Sequence, residues 1–256
     1  MTPLPPAFLK APLAHRGYHD LAAGIPENSR AAFRAAIAAG YGIELDVQLT
    51  KDRRAMVFHD YGLGRLTAEK GPIRQRTSAE LSAIPLTGGD ETIPTLPQVL
   101  DLVAGQVPLL IEIKDQDGAM MHDVGPLEIA VAHALVGYTG PVAVMSFNPH
   151  AVEAFAAVSP DTPRGLTTCA YQPEDWPLLP AHVFVHLRET PYYDRVGATF
   201  VSHLARDLTR PRVRDLKTKG AKILCWTIRS PEAEAEAREI ADNITFEGYA
   251  APIPHP

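Results

Sequence analysis

Two cysteines in 256 residues, Cys169 and Cys225, leave no basis for a disulfide framework. Both fall in apolar runs without a CxxC partner, so two buried reduced thiols are expected. No run of 18 apolar residues occurs, which argues against a membrane-spanning helix. Met1 to Pro12 carries Pro at 3, 5, 6 and 12 and lacks the apolar segment of a secretory signal, so a cytoplasmic setting is expected. Basic residues are outnumbered, 24 Lys+Arg against 30 Asp+Glu, and a net charge of −6 gives no footprint of a general nucleic-acid binder. Neither a GxGxxG turn nor a GxSxG elbow is present, so the usual signs of a dinucleotide site and of a serine hydrolase are missing. What remains is an ordinary globular composition. With 46% hydrophobic and 21% charged residues, a sizeable core is expected rather than disorder.

Apolar runs of strand length alternate with helical patterns along the chain. Strands are predicted at 11–15, 42–50, 108–114, 142–147, 164–168, 199–203, 222–228 and 243–247. Helices are predicted at 28–40, 95–104, 126–136, 149–158, 211–219 and 231–241, several opening with Pro at the first position. Asn28 can cap the first helix and Gly40 can close it. The stretch 173–196 is ambiguous. Eight strands joined by helices or long crossovers in about 250 residues predict a closed (β/α)8 barrel, a TIM barrel, with an open doubly wound sheet as the structural alternative. We read residues 1–256 as a single domain. One segment breaks the repeat: Ala55–His59 follows the second strand after only four residues, too few for a crossover. It must return as a hairpin, with His59 roughly opposite Asp46. Residues 61–93 then read as a small insertion over the top of the barrel.

Charge inside apolar strands is the informative feature. In Ile43-Glu44-Leu45-Asp46-Val47, period-2 geometry puts Glu44 and Asp46 on one face. In Ile111-Glu112-Ile113-Lys114 it puts Glu112 and Lys114 together. The outward faces of barrel strands pack on helices, so these charges must point inward near the C-terminal rim, where such barrels hold their active sites. His15 and Arg16 end the first strand at the same rim. Three facing carboxylates need a cation, and an all-oxygen set favours Mg²⁺ or Ca²⁺ over zinc. The plain alternative is a buried structural ion-pair cluster, with Arg16 and Lys114 as counter-ions. His133, His150, His182, His186 and His255 read as packing or surface residues, and His19 and His203 lie nearer the rim.

The ordered blocks His15-Arg16-Gly17, Pro26-Glu27-Asn28-Ser29, Glu44 to Asp52 and Val57 to Asp60 resemble the glycerophosphodiester phosphodiesterase family. Ile93 to Leu96, Ile111 to Lys114, Ser146 to Pro149 and Cys225 to Ile228 extend the resemblance over nearly the whole chain. It implies a barrel of the phospholipase-C-like phosphodiesterase type. It implies that Glu44, Asp46 and Glu112 hold a divalent cation, that His15 and His59 are the acid/base pair, and that Arg16 and Lys114 contact phosphate. Glu27 matches a position near the metal and the arginine, though locally it is also a helix-start residue. Trp226 matches an aromatic on the alcohol side, though it also fits as a filler of the barrel top. The chain departs from the family after the last strand, where Thr-Asp and Pro are usual and Asn243-Ile-Thr-Phe-Glu-Gly-Tyr249 stands instead.

The implied activity is metal-dependent hydrolysis of a small glycerophosphodiester to sn-glycerol 3-phosphate and an alcohol, by attack of a substrate hydroxyl and a cyclic phosphate. The alternatives are a lysophospholipase-D-like enzyme, which would want an exposed apolar rim, and a non-catalytic binding barrel, which would have lost a histidine or a metal carboxylate. Oligomeric state is open.

Overall fold

A computed structural model describes residues 1–174, 176 and 179–254. In chain order the elements are β1 (Leu13–Ala14), α1 (Arg30–Ala39), β2 (Gly42–Leu49), β3 (Ala55–Val57), α2 (Ser78–Ser82), α3 (Leu96–Val103), β4 (Leu109–Ile113) and α4 (Pro126–Ala134). They continue as β5 (Val142–Ser146), α5 (Pro149–Val158), β6 (Arg164–Thr168), α6 (Ala181–Arg188), β7 (Phe200–Leu204), α7 (Pro211–Thr218), β8 (Lys222–Ile228), α8 (Pro231–Arg238) and β9 (Asn243–Phe246). The sheet runs β1-β9-β8-β7-β6-β5-β4-β2, and β1 pairs with β2 to close it into an eight-stranded parallel barrel. β3 stands outside the ring, antiparallel on β2.

The hairpin forms as expected but is offset by one residue. Val47 pairs with Val57, so Phe58 rather than His59 faces Asp46, and the Phe58 amide donates to the Asp46 carbonyl at 3.0 Å. The first helix also differs from expectation at its start. Ser29, not Asn28, is the cap, and its hydroxyl accepts from the Ala32 amide at 3.1 Å. Gly40 closes the helix in the left-handed region, φ +78°. Pro opens α4, α5, α7 and α8, where its missing N–H has no intrahelical partner to lose.

Alternation along the strands sorts the interior. Ile43, Leu45, Val47 and Leu49 of β2, with Leu109, Ile111 and Ile113 of β4, face the helices in the main core. The opposite face of the ring is layered. Its floor is apolar: Leu13, Leu110, Ala143, Met145, Phe200 and Leu224 meet Leu4 and Phe8 of the N-terminal segment. Burying each large apolar side chain contributes about 1.5–3 kcal/mol. Asn243 fixes that segment by donating from Nδ2 to the Phe8 and Ala11 carbonyls, both at 2.7 Å. Above this plug the inward positions turn polar. After β3 the chain builds a separate cluster in which Leu63, Ile73, Leu81, Ile84, Leu86 and Ile93 pack on Met56 and Phe58.

Candidate active site

Strand register brings the carboxylates together. Asp46 of β2 pairs directly with Glu112 of β4, and Glu44 lies two residues back on the same inward face. Glu44, Asp46 and Glu112 are all buried, with one oxygen of each within 4.8 Å of the others. Among the described residues no other group of three His, Cys, Asp or Glu side chains converges as closely. Two permanent cations face this triad. Lys114 Nζ donates to Glu112 at 2.7 Å and lies 3.4 Å from Asp46. Arg16 Nε lies 3.5 Å from Asp46. Three negative groups against two positive ones leave one carboxyl uncompensated, and it is Glu44. Burial, then the neighbouring charges of Asp46 and Glu112, hold Glu44 well above the usual carboxylate range. Burial pushes Asp46 the same way but is outweighed by Lys114, His59 and Arg16, which hold it well below that range. Lys114 is raised above an ordinary lysine, because Glu112 and Asp46 overcome the cost of its burial.

The donor set is all oxygen, and its excess negative charge is offset either by a proton on Glu44 or by a further cation. Glu44, Asp46 and Glu112 therefore fit a hard divalent ion.

The turn after β1 delivers the next two groups. Arg16 and Gly17 are both left-handed, at φ +54° and +82°. A Cβ on Gly17 would meet Ala32 Cβ at 2.8 Å, so the turn requires glycine to lie this close to α1. The Arg16 amide donates to Glu44 Oε2 at 3.1 Å, and its guanidinium donates to Glu27 Oε1 at 2.7 Å. Glu27 also accepts two bonds from Arg65, at 2.8 and 2.9 Å, so it holds the arginine from behind and does not line the cleft. Burial would raise Glu27, but Arg65 and Arg16 lower it.

Both predicted histidines present Nδ1 to a carboxylate. His15 Nδ1 is 2.5 Å from Glu247 Oε2, and its Nε2 lies 4.0 Å from Glu44 Oε2. Burial lowers the His15 pKa against the opposing pull of Glu247. His59 Nδ1 is 2.7 Å from Asp60 Oδ1, and Arg65 donates to both Asp60 oxygens, to Oδ2 at 2.7 Å and to Oδ1 at 2.8 Å. The His59 carbonyl accepts from Gln48 Nε2 at 2.9 Å, which ties the loop after β3 back to β2.

His15, Arg16, Glu44, Asp46, His59, Glu112, Lys114 and Trp226 line one cleft, with Met145, Phe147, Thr167 and Thr245. Trp226 is fixed by its indole N–H, which donates to the Ser202 carbonyl at 3.0 Å, and by edge contact with Phe147. The same tryptophan lines an adjoining groove of about 860 Å³ with Leu204, Arg206, Arg229 and Glu236. His203 bridges Thr168 Oγ1 at 2.8 Å and Asp207 at 3.2 Å and is not among the cleft residues. His150, His182 and His186 line a different cleft with His122. His255 is outside the described residues.

Three further partners are brought to the site by the fold. Asn28, buried and at φ +54°, donates from Nδ2 to Asp46 Oδ2 at 3.0 Å. It serves the carboxylate rather than the helix end. Asp60 and Glu247 anchor the two histidines. Glu247 carried a readable signal, an acid ending an apolar strand at the rim, the same signal that singled out His15.

The family model described as "Glycerophosphoryl diester phosphodiesterase family" matches residues 15–243. A glycerophosphodiester phosphodiesterase of Caldanaerobacter subterraneus subsp. tengcongensis is 28% identical over 240 residues, 91% of each chain. The structure of an Oleispira antarctica phosphodiesterase in complex with the product sn-glycerol-3-phosphate superimposes with a TM-score of 0.75 at 25% identity, over 95% of each chain. The lysophospholipase D of Homo sapiens is 31% identical over 133 residues, 47% of this chain and 41% of the human one. Among the described residues no helix is long and apolar enough to cross a membrane.

Proposed function

Because the chain belongs to the glycerophosphoryl diester phosphodiesterase family, whose members are metal-dependent phosphoric diester hydrolases, we propose that its buried triad and two histidines split glycerophosphodiesters into sn-glycerol 3-phosphate and an alcohol. One observation carries this reading: three buried carboxylates, two cationic side chains and two histidine rings meet in one cleft. In this reading Glu44, Asp46 and Glu112 hold the divalent cation, Mg²⁺ or Ca²⁺. When bound, the cation supplies positive charge to phosphoryl oxygens as charge redistributes. Arg16 and Lys114 contact the phosphate, and Glu27 holds Arg16 in place. Local charge must do this work, since the chain's net −6 gives an anionic substrate no attraction.

His15 and His59 move protons. One takes the proton of the attacking oxygen and the other protonates the departing alkoxide, roles that suit an imidazole near neutrality. Each is presented with Nδ1 occupied, which leaves Nε2 for the substrate. The cleft offers no serine or cysteine nucleophile, so the attacking oxygen comes from the substrate or from water; the family resemblance favours a glycerol hydroxyl, giving a cyclic phosphate that water opens. Trp226 borders the alcohol side, where the adjoining groove has room for a head group. A single domain over residues 1–256 and a cytoplasmic setting belong to this reading, and the burial of both Cys169 and Cys225 is compatible with a reducing compartment.

The test is a panel of glycerophosphodiesters scored for glycerol 3-phosphate, with Mg²⁺, Ca²⁺ or chelator. Release that depends on added cation is expected. No release from any member would overturn the reading, and turnover of lysophospholipids alone would replace it with the lysophospholipase-D-like one.

A further inference from the structure

Glu247 directly follows β9, and its carboxylate meets the ring of His15 across a sequence separation of 232 residues. Two backbone bonds fix where each starts. The His15 amide donates to the Phe246 carbonyl at 2.9 Å, and the Glu247 amide donates to the Ile228 carbonyl at 3.0 Å. The side chains then complete the link. Glu247 Oε2 takes His15 Nδ1, while Oε1 accepts from Arg229 Nε at 2.7 Å. His19 Nε2 lies 3.7 Å from the same Oε2. The carboxylate is therefore held between β1 and β8 and is not a loose surface acid.

We propose that Glu247 is the positioning residue of His15: its carboxylate accepts the hydrogen bond from Nδ1–H, which fixes the ring's tautomer and turns Nε2 into the cleft. This rests on the diester-hydrolase reading. A carboxylate accepts only, so a neutral His15 beside it carries its proton on Nδ1. Nε2 then holds the lone pair, and it is the nitrogen that faces Glu44 and the cleft. Without the carboxylate, either nitrogen can carry the proton, and a ring with its proton on Nε2 cannot accept one there. The same logic orients the histidine of a serine-protease triad. His59 has the same arrangement through Asp60, so both rings meet the cleft through Nε2. A rival reading makes Glu247 a seam clamp that only ties β9 and β8 to the first loop.

Two measurements separate these readings. The first needs no turnover. In chelated, ¹⁵N-histidine-labelled protein at pH 8, two-bond ¹H–¹⁵N spectra should show His15 protonated on Nδ1 in the wild type. In Glu247→Ala it should move toward the Nε2-protonated form. The second uses a diester that the wild type cleaves. Glu247→Ala should lower kcat by about 10–10³-fold with KM within about threefold. Glu247→Gln, which keeps an acceptor oxygen, should recover part of that loss. If Glu247→Ala fails to fold, Glu247→Gln is read against the wild type in both measurements, and its kcat should be at least about threefold lower. An unchanged His15 tautomer with kcat within twofold of wild type overturns the proposal and leaves the clamp. If the wild type cleaves no diester, the diester-hydrolase reading falls, while the tautomer still tests whether Glu247 sets the ring.

Discussion

Glu44→Gln gives the most direct access to the charge imbalance of the site. In the cation-free protein Glu44 faces two other carboxylates within 4.8 Å, and Arg16 and Lys114 balance only two of the three. The raised Glu44 pKa sets the sign. A carboxyl that ionises less readily folded than unfolded stabilises the fold fully below its unfolded value near 4.5, and that contribution is lost as pH rises through its folded value. Cation-free wild type should therefore lose stability relative to Glu44→Gln as pH climbs above about 4.5. The amide keeps an oxygen for the Arg16 N–H, so little packing is given up. With cation the order reverses. At 100 times its Kd a ligand stabilises by about 2.7 kcal/mol, which for a chain of this size raises Tm by roughly 5–10 °C. Two unit charges 4 Å apart attract by about 4 kcal/mol at an effective dielectric of 20. Removing one ligand charge should thus weaken a divalent ion by about 10²-fold or more. At the same concentration the variant would sit near its own Kd, worth about 0.4 kcal/mol and roughly 1 °C. Thermal unfolding with chelator and with Mg²⁺ or Ca²⁺, from pH 5 to pH 8, reads all of this. A variant less stable than wild type without cation, yet showing the full cation shift, would refute the reasoning.

Changing His15 or His59 to Ala should lower kcat by about 10²–10⁴-fold, with Tm nearly unchanged. Near-wild-type turnover in either would remove that ring from the acid/base pair. Asn28→Ala removes a buried donor to Asp46 and puts alanine in the left-handed region, so it should cost about 1–3 kcal/mol in a denaturant titration and weaken cation binding about 10–100-fold. Gly17→Ala places a Cβ 2.8 Å from Ala32 Cβ at φ +82° and should lower Tm by several degrees, roughly what 1–2 kcal/mol of strain gives. A diester lacking the hydroxyl beside the phosphorylated carbon should bind as an inhibitor but turn over very slowly, since proximity would no longer help attack; equal rates for the deoxy and normal diesters would point to water as the nucleophile.

The barrel was legible because its signal is redundant. The strand pattern repeats eight times and the helix pattern six, so an ambiguous stretch such as 173–196 does not hide the closed ring. The triad was legible for a different reason: a charge within an apolar strand has only one inward face to occupy, and β2 and β4 pair Asp46 with Glu112 side by side. Partners set by three-dimensional proximity were harder. Asn28 looks like a helix cap in one dimension, and nothing local reveals that the next residue, Ser29, takes that job and frees Asn28 for Asp46. The hairpin register differs by one residue from the sequence expectation because a four-residue connection does not specify where its turn is centred. Glu247 finds its partner only when β9 closes onto β1 and brings it to His15, 232 residues away, although an acid closing an apolar run at the rim is itself a site signal.

The placement of Glu247 also bears on how the first loop stays rigid. β1 is two residues long, yet it carries both pairings that close the barrel, Ala14 with Ile43 and Ala14 with Phe246. So short a strand cannot by itself hold His15 and Arg16 to catalytic tolerance. The hydrogen bonds show what does. The Gly17 amide donates to the Glu44 carbonyl at 3.2 Å, the Tyr18 amide to the Ala32 carbonyl at 3.0 Å, and the Asn28 amide to the Arg16 carbonyl at 2.8 Å. The loop is thus held by β2 on one side and by α1 on the other, with Glu247 closing it from β9. Each support also touches the triad or a histidine: β2 supplies Glu44, Asn28 grips Asp46, and Glu247 holds His15. Scaffold and site share the same bonds here. A change that loosens α1, such as Gly17→Ala, should therefore reduce turnover beyond the fraction of protein it unfolds, because it displaces a histidine that must lie within hydrogen-bond reach of its proton.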